Sequence, residues 1–373
     1  MAHAYAPGLT VAEYTRFRKE RRLPLKGSVI AKKGDLVKAM QIVARTELPG
    51  AVYPVNMAHK LGITAGEVPG AMKVPMGSSV TKGQEIAHTT SFFGLFSASA
   101  NSPIDGTVES ISKVTGQVML RAKPVPVELN AFMDGEVVEV IENEGVLVET
   151  WATFIQGIFG IGGEVHGPIK MLATNPDQVL DASMITEECA GQIVVGGSLV
   201  TIDAINKALK VKALGIIAGG LNDADLRQLL GYDLGVAVTG NEDKGLTVIV
   251  TEGFGRIRMA DRTFKLIATQ NGRAASINGA TQIRAGVMRP EIVIPVAHRG
   301  EAHKTQKEAG AMEIGSQLRL IREPYFGALA KVVSLPHALT VCETEAKVRV
   351  VEVELVSGEK VLLPRANVEL IED

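Results

Sequence analysis

The stretch GDLVKAMQIVA at residues 34–44 returns without a gap as GSSVTKGQEIA at residues 77–87. The two copies share glycine at the first place, valine at the fourth, glutamine at the eighth and alanine at the eleventh. That spacing suits a turn followed by a short half-buried strand, so one folded unit is written twice. A second repeat follows at an offset of 29, with Asp105-Gly106 and Gly116 answered by Asp134-Gly135 and Gly145. Each encloses alternating apolar positions such as Val108 and Val137. Asp-Gly followed by alternation signals a turn and a strand, so β structure is expected to continue to about Thr150.

Residues 25–121 resemble the barrel-sandwich hybrid in the C subunit of membrane electron-transport complexes and, more distantly, that of biotinyl carriers. In such carriers the hairpin joining the two halves holds the modified lysine, in a pattern like Met-Lys-Met. Here the hairpin reads Thr90, Ser91, Phe92, Phe93, Gly94, Leu95, Phe96, Ser97, with no lysine between Lys82 and Lys113. No biotinyl or lipoyl role is therefore expected, and no other cofactor. Phe92, Phe93, Leu95 and Phe96 read either as a local mini-core or as a docking finger for another chain, since clustered large apolar groups are uncommon on monomer surfaces.

The 373 residues suit two to four domains, and a hydrophobic content of 46% is ample for their cores. The 39 basic and 41 acidic residues nearly cancel, which gives no electrostatic reason to expect nucleic acid or an anionic membrane as partner. Cys189 and Cys342 show no CxxC spacing, so neither a disulfide framework nor a thiolate metal site is indicated, and a cytoplasmic location is the expectation. No apolar run reaches the roughly 18 to 20 residues of a membrane span, and the opening MAHAYAPGLT lacks a signal-peptide layout.

Residues 10–22 read as one short helix, with Thr10 and Glu13 in capping-box spacing and Pro24 as its stop. Its Arg16, Arg18, Lys19, Arg21 and Arg22 form the only dense basic cluster, either a solvated face or a contact to an acidic surface.

Composition shifts at Trp151. The glycine-rich GIFGIGGEVHG at residues 157–167 lacks the strand-then-helix context of a dinucleotide fingerprint and reads as a junction. Beyond it strands are expected at 192–195, 214–218, 234–238 and 246–250, the last two as a hairpin. Helices are expected from Thr201 to about Leu209, from Asn222 through Leu230 and over 259–269, with a further strand before Pro295. Alternating strands and helices imply an open, largely parallel α/β sheet.

The residues from Glu313 onward include IGSQLRLIREPYFGALAKVV, which resembles a KOW motif, the hairpin of small SH3-like barrels in transcription elongation factors and some ribosomal proteins. Gly315, Arg319, Ile321, Pro324, Gly327 and Val332 fall on that pattern, and Ala330 replaces its usual second glycine. Residues 313–373 carry seven basic against ten acidic side chains, which opposes phosphate binding. Protein contact is the expected use, with Tyr325 and Phe326 as anchors. The resulting division is an N-terminal arm or helix at 1–24, a barrel-sandwich hybrid at 25–150, an α/β domain at 151–300, a linker at 301–312 and an SH3-like barrel at 313–373. This combination resembles a family of bacterial proteins with the same architecture, which implies a fold and no reaction.

The best candidate for ligand binding is the carboxyl edge of the α/β sheet, where Gly196, Gly197, Ser198, Gly219, Gly220, Thr239, Gly240, Thr251 and Gly253 should converge. Asp223, Asp225, Glu252 and Arg284 would add charge. Such an edge binds small anions where glycine lets backbone amides approach; the alternative is that the glycines only permit tight turns. Ser198 lacks a GxSxG context, and HRGEAH at residues 298–303 is not HExxH, so neither catalytic nor metal residues are expected. The sequence reads as a cytoplasmic, non-catalytic scaffold or adaptor that self-associates or binds another protein. Two rivals remain: an enzyme or sensor using the glycine edge, and a KOW-type nucleic-acid or ribosome-associated factor.

Overall fold

The computed structural model describes residues 9–91, 96–231, 244–281, 288–298, 312–320, 324–325, 328–336, 339–341 and 347–370. Among these residues strand accounts for 48% and helix for 16%, divided among several sheets as in a multi-domain α and β chain.

The N-terminal segment corrects the helix expected at residues 10–22, because Val11–Arg22 is a twelve-residue strand, β1. Tyr14 and Arg21 are buried and Thr15, Phe17 and Lys19 half-buried, whereas Arg16, Arg18, Glu20 and Arg22 face solvent. From Thr15 onward that alternation has a period of two, and pairing with residues 145–155 outweighs the local cap signal. The basic cluster is thereby divided between the two faces of a strand.

The strand Ile42–Leu48 (β2) ends the first copy of the eleven-residue repeat. Val52–Asn56 (β3), Glu85–Ser91 (β4), Phe96–Asn101 (β5), Gly106–Ile111 (β6) and Gln117–Ala122 (β7) build an inner unit around Met57, Ile86, Val108, Val118 and Leu120. Val125–Asn130 (β8) returns antiparallel to β2, Val125 facing Leu48, so the inner unit hangs from a two-stranded neck. At that neck a Cβ on Gly50 would stand 2.1 Å from the Ala122 carbonyl oxygen.

The two repeats detected in the sequence are parts of one device. Gly34 donates its N–H to the Val137 carbonyl and Gly77 to that of Val108, both at 2.7 Å. Both glycines have positive φ, +91° and +86°, as the turn requires. Val37 and Val80 are buried at the same place in each copy. The copy at 77–87 with Asp105-Gly106 is thus nested inside the copy at 34–44 with Asp134-Gly135.

Gly135–Ile141 (β9) and Gly145–Gln156 (β10) complete the outer unit. The boundary expected between residues 150 and 151 falls inside β10, which pairs with β9 through its first half and with Glu291–Pro295 through its second. The chain continues through Phe159–Ile161 (β11) and Glu164–Met171 (β12), so residues 157–167 are mostly strand and not the expected junction. Glycine serves close packing there: a Cβ on Gly160 would lie 2.7 Å from the Gly279 carbonyl oxygen.

Next come Ile193–Val195 (β13), helix Ile202–Val211 (α1), Gly215–Leu221 (β14), helix Asp223–Leu230 (α2), Thr247–Phe254 (β15), helix Asp261–Thr269 (α3), Ala274–Asn278 (β16) and Glu291–Pro295 (β17). The sheet order is β11-β15-β14-β13-β12-β16-β17-β10-β9, with β12 to β15 mutually parallel. Thr201 caps α1, its Oγ1 accepting the Ala204 N–H at 3.2 Å. Val194, Ile216 and Val248 pack toward α1 and α2, while Ile193, Ile217 and Ile249 pack toward α3. Apolar cover on both faces explains why these strands read as unbroken apolar runs. The strand expected at 234–238 lies outside the described residues.

The last sheet contains Gln317–Leu320 (β18), Leu329–Ser334 (β19), Lys347–Leu355 (β20), Lys360–Pro364 (β21) and Val368–Leu370 (β22), around Leu318, Leu320, Val332, Val351, Val353 and Val368.

Candidate functional site

Three of the strand ends expected to converge do so. Gly196, Gly197 and Ser198 follow β13, Gly219 and Gly220 lie near the end of β14, and Thr251, Glu252 and Gly253 near the end of β15, at the carboxyl edge of neighbouring parallel strands. Thr239, Gly240 and Arg284 lie outside the described residues. Five polar groups at this edge are engaged by the chain itself. Gly196 donates to the Ile217 carbonyl at 2.8 Å, Gly219 to Gly197 at 2.6 Å and Ser198 N–H to Gln178 at 2.9 Å. The Ser198 hydroxyl donates to the Asp177 carbonyl at 2.7 Å, and the Thr251 hydroxyl to that of Ala218 at 3.4 Å.

A Cβ added to Gly197, Gly219 or Gly220 would stand 2.5, 2.3 or 2.0 Å from the carbonyl oxygens of Gln178, Ile257 and Gly255 respectively. The glycines admit two returning segments, residues 175–180 and 253–259, against the strand ends. Asp223 is half exposed on α2 and pairs with Arg227 one turn along, and Asp225 accepts from Asn222 Nδ2 at 3.2 Å.

Glu252 has the most specific environment at this edge. Its Oε1 accepts the Ala260 N–H at 3.0 Å at the start of α3, and its Oε2 accepts Arg319 Nη2 at 2.7 Å. Arg319 lies on β18 and is 3% exposed, so a buried charge pair ties the C-terminal sheet to the carboxyl edge. Tyr325 is half-buried against the C-terminal core, and Phe326 lies outside the described residues.

A second polar seam carried no local signal. Arg21, on β1, makes a bidentate pair with Glu164 on β12 at 2.6 and 2.7 Å and donates its Nε–H to the Asn130 carbonyl at 2.7 Å. Lys19 pairs with Glu291 on β17. Both cations stand over the ring of Phe132, at 5.2 Å for Lys19 and 5.5 Å for Arg21.

Phe132 itself adopts φ +73°, uncommon for a residue with a bulky side chain. Ser276 donates its hydroxyl to the Phe132 carbonyl, so its oxygen must accept from His166 Nδ1, 3.0 Å away; the imidazole is held as the Nδ1–H tautomer. Burial pushes His166 below the usual histidine range, opposed by the Asp134 charge and assisted by Lys38. Asp134 accepts from Lys38 Nζ and from the Ala39 N–H, both at 2.8 Å. On the outer face of β1, Arg18 and Arg16 reach Glu149 at 2.5 and 3.8 Å, and Arg22 reaches Glu20 at 2.7 Å and Glu144 at 3.4 Å. The acidic surface facing the basic cluster therefore belongs to this chain. What the seam does is clasp β1 and the 130–134 turn onto β12, β16 and β17.

Cys189 is buried in the α/β core, and Cys342 lies outside the described residues. His298 lies 5.1 Å from Trp151, ring to ring, while His303 is outside the described residues. Among the described residues no group of three or more His, Cys, Asp or Glu is placed to hold a metal ion, and no helix is long and apolar enough to cross a membrane. No family model matches the sequence, and no curated protein matches it.

Proposed function

We propose that this chain is a non-catalytic binding and assembly protein of the cytoplasm, a scaffold or adaptor that self-associates and docks other chains. Its inner β unit serves as a barrel-sandwich hybrid whose hairpin is a docking finger in place of a carrier lysine, and residues 313–373 serve as an SH3-like barrel for protein contact. The observation that carries the reading is the hairpin β4–β5. It forms a sheet of its own, anchored at its base by buried Ile86, Ala87 and Ala100, with Thr90, Ser97 and Ser99 exposed farther out. Phe92, Phe93, Leu95 and the side chain of Phe96 lie outside the described residues, so the finger rests on sequence and on the arms that carry it.

The engaged carboxyl edge favours this reading over an enzyme or sensor, since amides already bonded within the chain are not offered to an anion. Replacing Phe93 and Phe96 with serine tests it. The expected result is a smaller assembly with unchanged circular dichroism and melting temperature; an unfolded variant would assign the aromatic groups to a mini-core and remove the docking role.

A further inference from the structure

The β2–β8 hairpin of the outer unit and the β4–β5 hairpin of the inner unit match pair for pair. Leu48 faces Val125 where Ser91 faces Phe96, and Ala44 faces Leu129 where Ala87 faces Ala100. Each ladder then slips by one residue, so that Ile42 meets Asn130 and Glu85 meets Asn101. The residue left over is Val43 in one copy and Ile86 in the other, both fully buried. Its carbonyl has the same task in each, accepting the Ile30 N–H at 2.8 Å and the Lys73 N–H at 2.9 Å. Asp134 accepts the Ala39 N–H at 2.8 Å and Asp105 the Lys82 N–H at 2.7 Å, which pins the neighbouring turn in both. The copies differ at the tip. The inner hairpin passes from β4 to β5 through residues 92–95, whereas the outer hairpin carries residues 49–124, the whole inner unit, at the same place.

A hairpin tip accepts added chain readily, because the two ends of the insert stand side by side. The insert keeps to itself. Its core around Met57, Ile86, Val108, Val118 and Leu120 contains no residue from outside 55–120, and the outer core around Val43, Val137, Val146 and Val148 contains none from 49–124. Among the described residues, every hydrogen bond and ion pair of residues 52–121 stays inside that range except the one from Arg121 Nη1 to the Gly50 carbonyl, at 3.0 Å. Beside it Ala122 donates its N–H to the Ala51 carbonyl at 2.9 Å. Pro49, Ala51, Lys123 and Pro124 are exposed, and Val52, Tyr53 and Val125 next to them are 43%, 43% and 55% exposed, so the neck is open to solvent.

We infer that residues 49–124 form a separately folding head, inserted at the tip of the outer hairpin and coupled to the rest of the chain through the neck alone. The head opens and recloses as its own cooperative unit while the outer unit and the α/β sheet stay folded. A partner taken up at the β4–β5 hairpin is carried on a body of its own, and its binding leaves the α/β sheet unchanged. The inference stands on the matched ladders and the separate cores. It holds whatever that hairpin binds, so its failure and the failure of the docking reading are distinct outcomes.

Native-state hydrogen exchange of the full-length protein in sub-denaturing urea, read by mass spectrometry, tests it. Amides of β3, β6 and β7 should converge on one opening isotherm, and those of β9 and β10 on another. Leu120→Ala truncates a fully buried side chain of the inner core. It should speed exchange in β3, β6 and β7 by about 30-fold or more and leave β9, β10 and β13 to β15 unchanged. Val148→Ala, in the outer core, should speed β9 and β10 and leave β3, β6 and β7 unchanged, which keeps the test available should Leu120→Ala not fold. One isotherm shared by both groups in the wild type, or either variant speeding both groups alike, would overturn the inference.

Discussion

Gln41 and Gln84 close the same turn twice. The Oε1 of Gln41 accepts the Lys38 N–H at 3.1 Å, and that of Gln84 accepts the Thr81 N–H at 2.9 Å. Each glutamine returns its own N–H to the same residue's carbonyl, at 2.9 and 3.0 Å. If the two units are structurally equivalent, Gln41→Ala and Gln84→Ala should each cost about 1 kcal/mol, the usual worth of such a bond. The double variant should cost their sum, since the turns share no partner. Urea unfolding monitored by circular dichroism reads both; a cost in one copy only would break the equivalence.

The Glu252–Arg319 pair predicts a larger effect. Arg319→Met strands a buried carboxylate and should destabilise the chain by about 3–5 kcal/mol, whereas Glu252→Gln/Arg319→Met should recover most of that loss. Denaturant unfolding of the single and double variants decides it. Equal losses would mean that packing around Arg319 matters more than its charge.

His166 gives a pH dependence. Folding lowers its pKa, so between the folded value and the unfolded value of about 6.5 the unfolded chain binds more protons. The contribution to stability is full above about pH 7 and is lost progressively as pH falls below 6.5 and through the lowered folded value. His166→Gln should therefore show a smaller drop in melting temperature between pH 7.5 and 5.5 than wild type. Parallel curves for the two proteins would place the imidazole in contact with water at no cost.

At the carboxyl edge, Gly220→Ala and Gly197→Val should lower stability by about 1–3 kcal/mol or more, because the added carbon meets backbone rather than open space. Wild-type melting temperature should stay flat across nucleotides, phosphates, carboxylates and coenzyme A derivatives. A ligand at one hundred times its dissociation constant would add about 2.7 kcal/mol, and a shift of that size would reopen the edge as a binding site.

What was legible in the sequence was local. The repeats at residues 34–44 and 77–87 carry their pattern within eleven residues and Gly196-Gly197 announces the turn after β13, whereas Gly219-Gly220, expected as a turn after residue 218, continues β14 to Leu221. β1 was misread because Thr10, Glu13 and Pro24 give a helix signal at short range, whereas its partner strand lies more than a hundred residues away. The same distance hides Arg21 from Glu164 and Lys19 from Glu291, 143 and 272 positions apart. The filling of the carboxyl edge depends on residues 175–180 and 253–259 returning to it, which no motif announces. Glycine density alone fits a cradle and a close-packed turn equally well.

The most direct test of the central claim is the mass of the purified full-length protein by sedimentation velocity, from nanomolar concentration to tens of micromolar. The account predicts an assembled species built of whole protomers, with its population rising with concentration. A monomer across the whole range would contradict it.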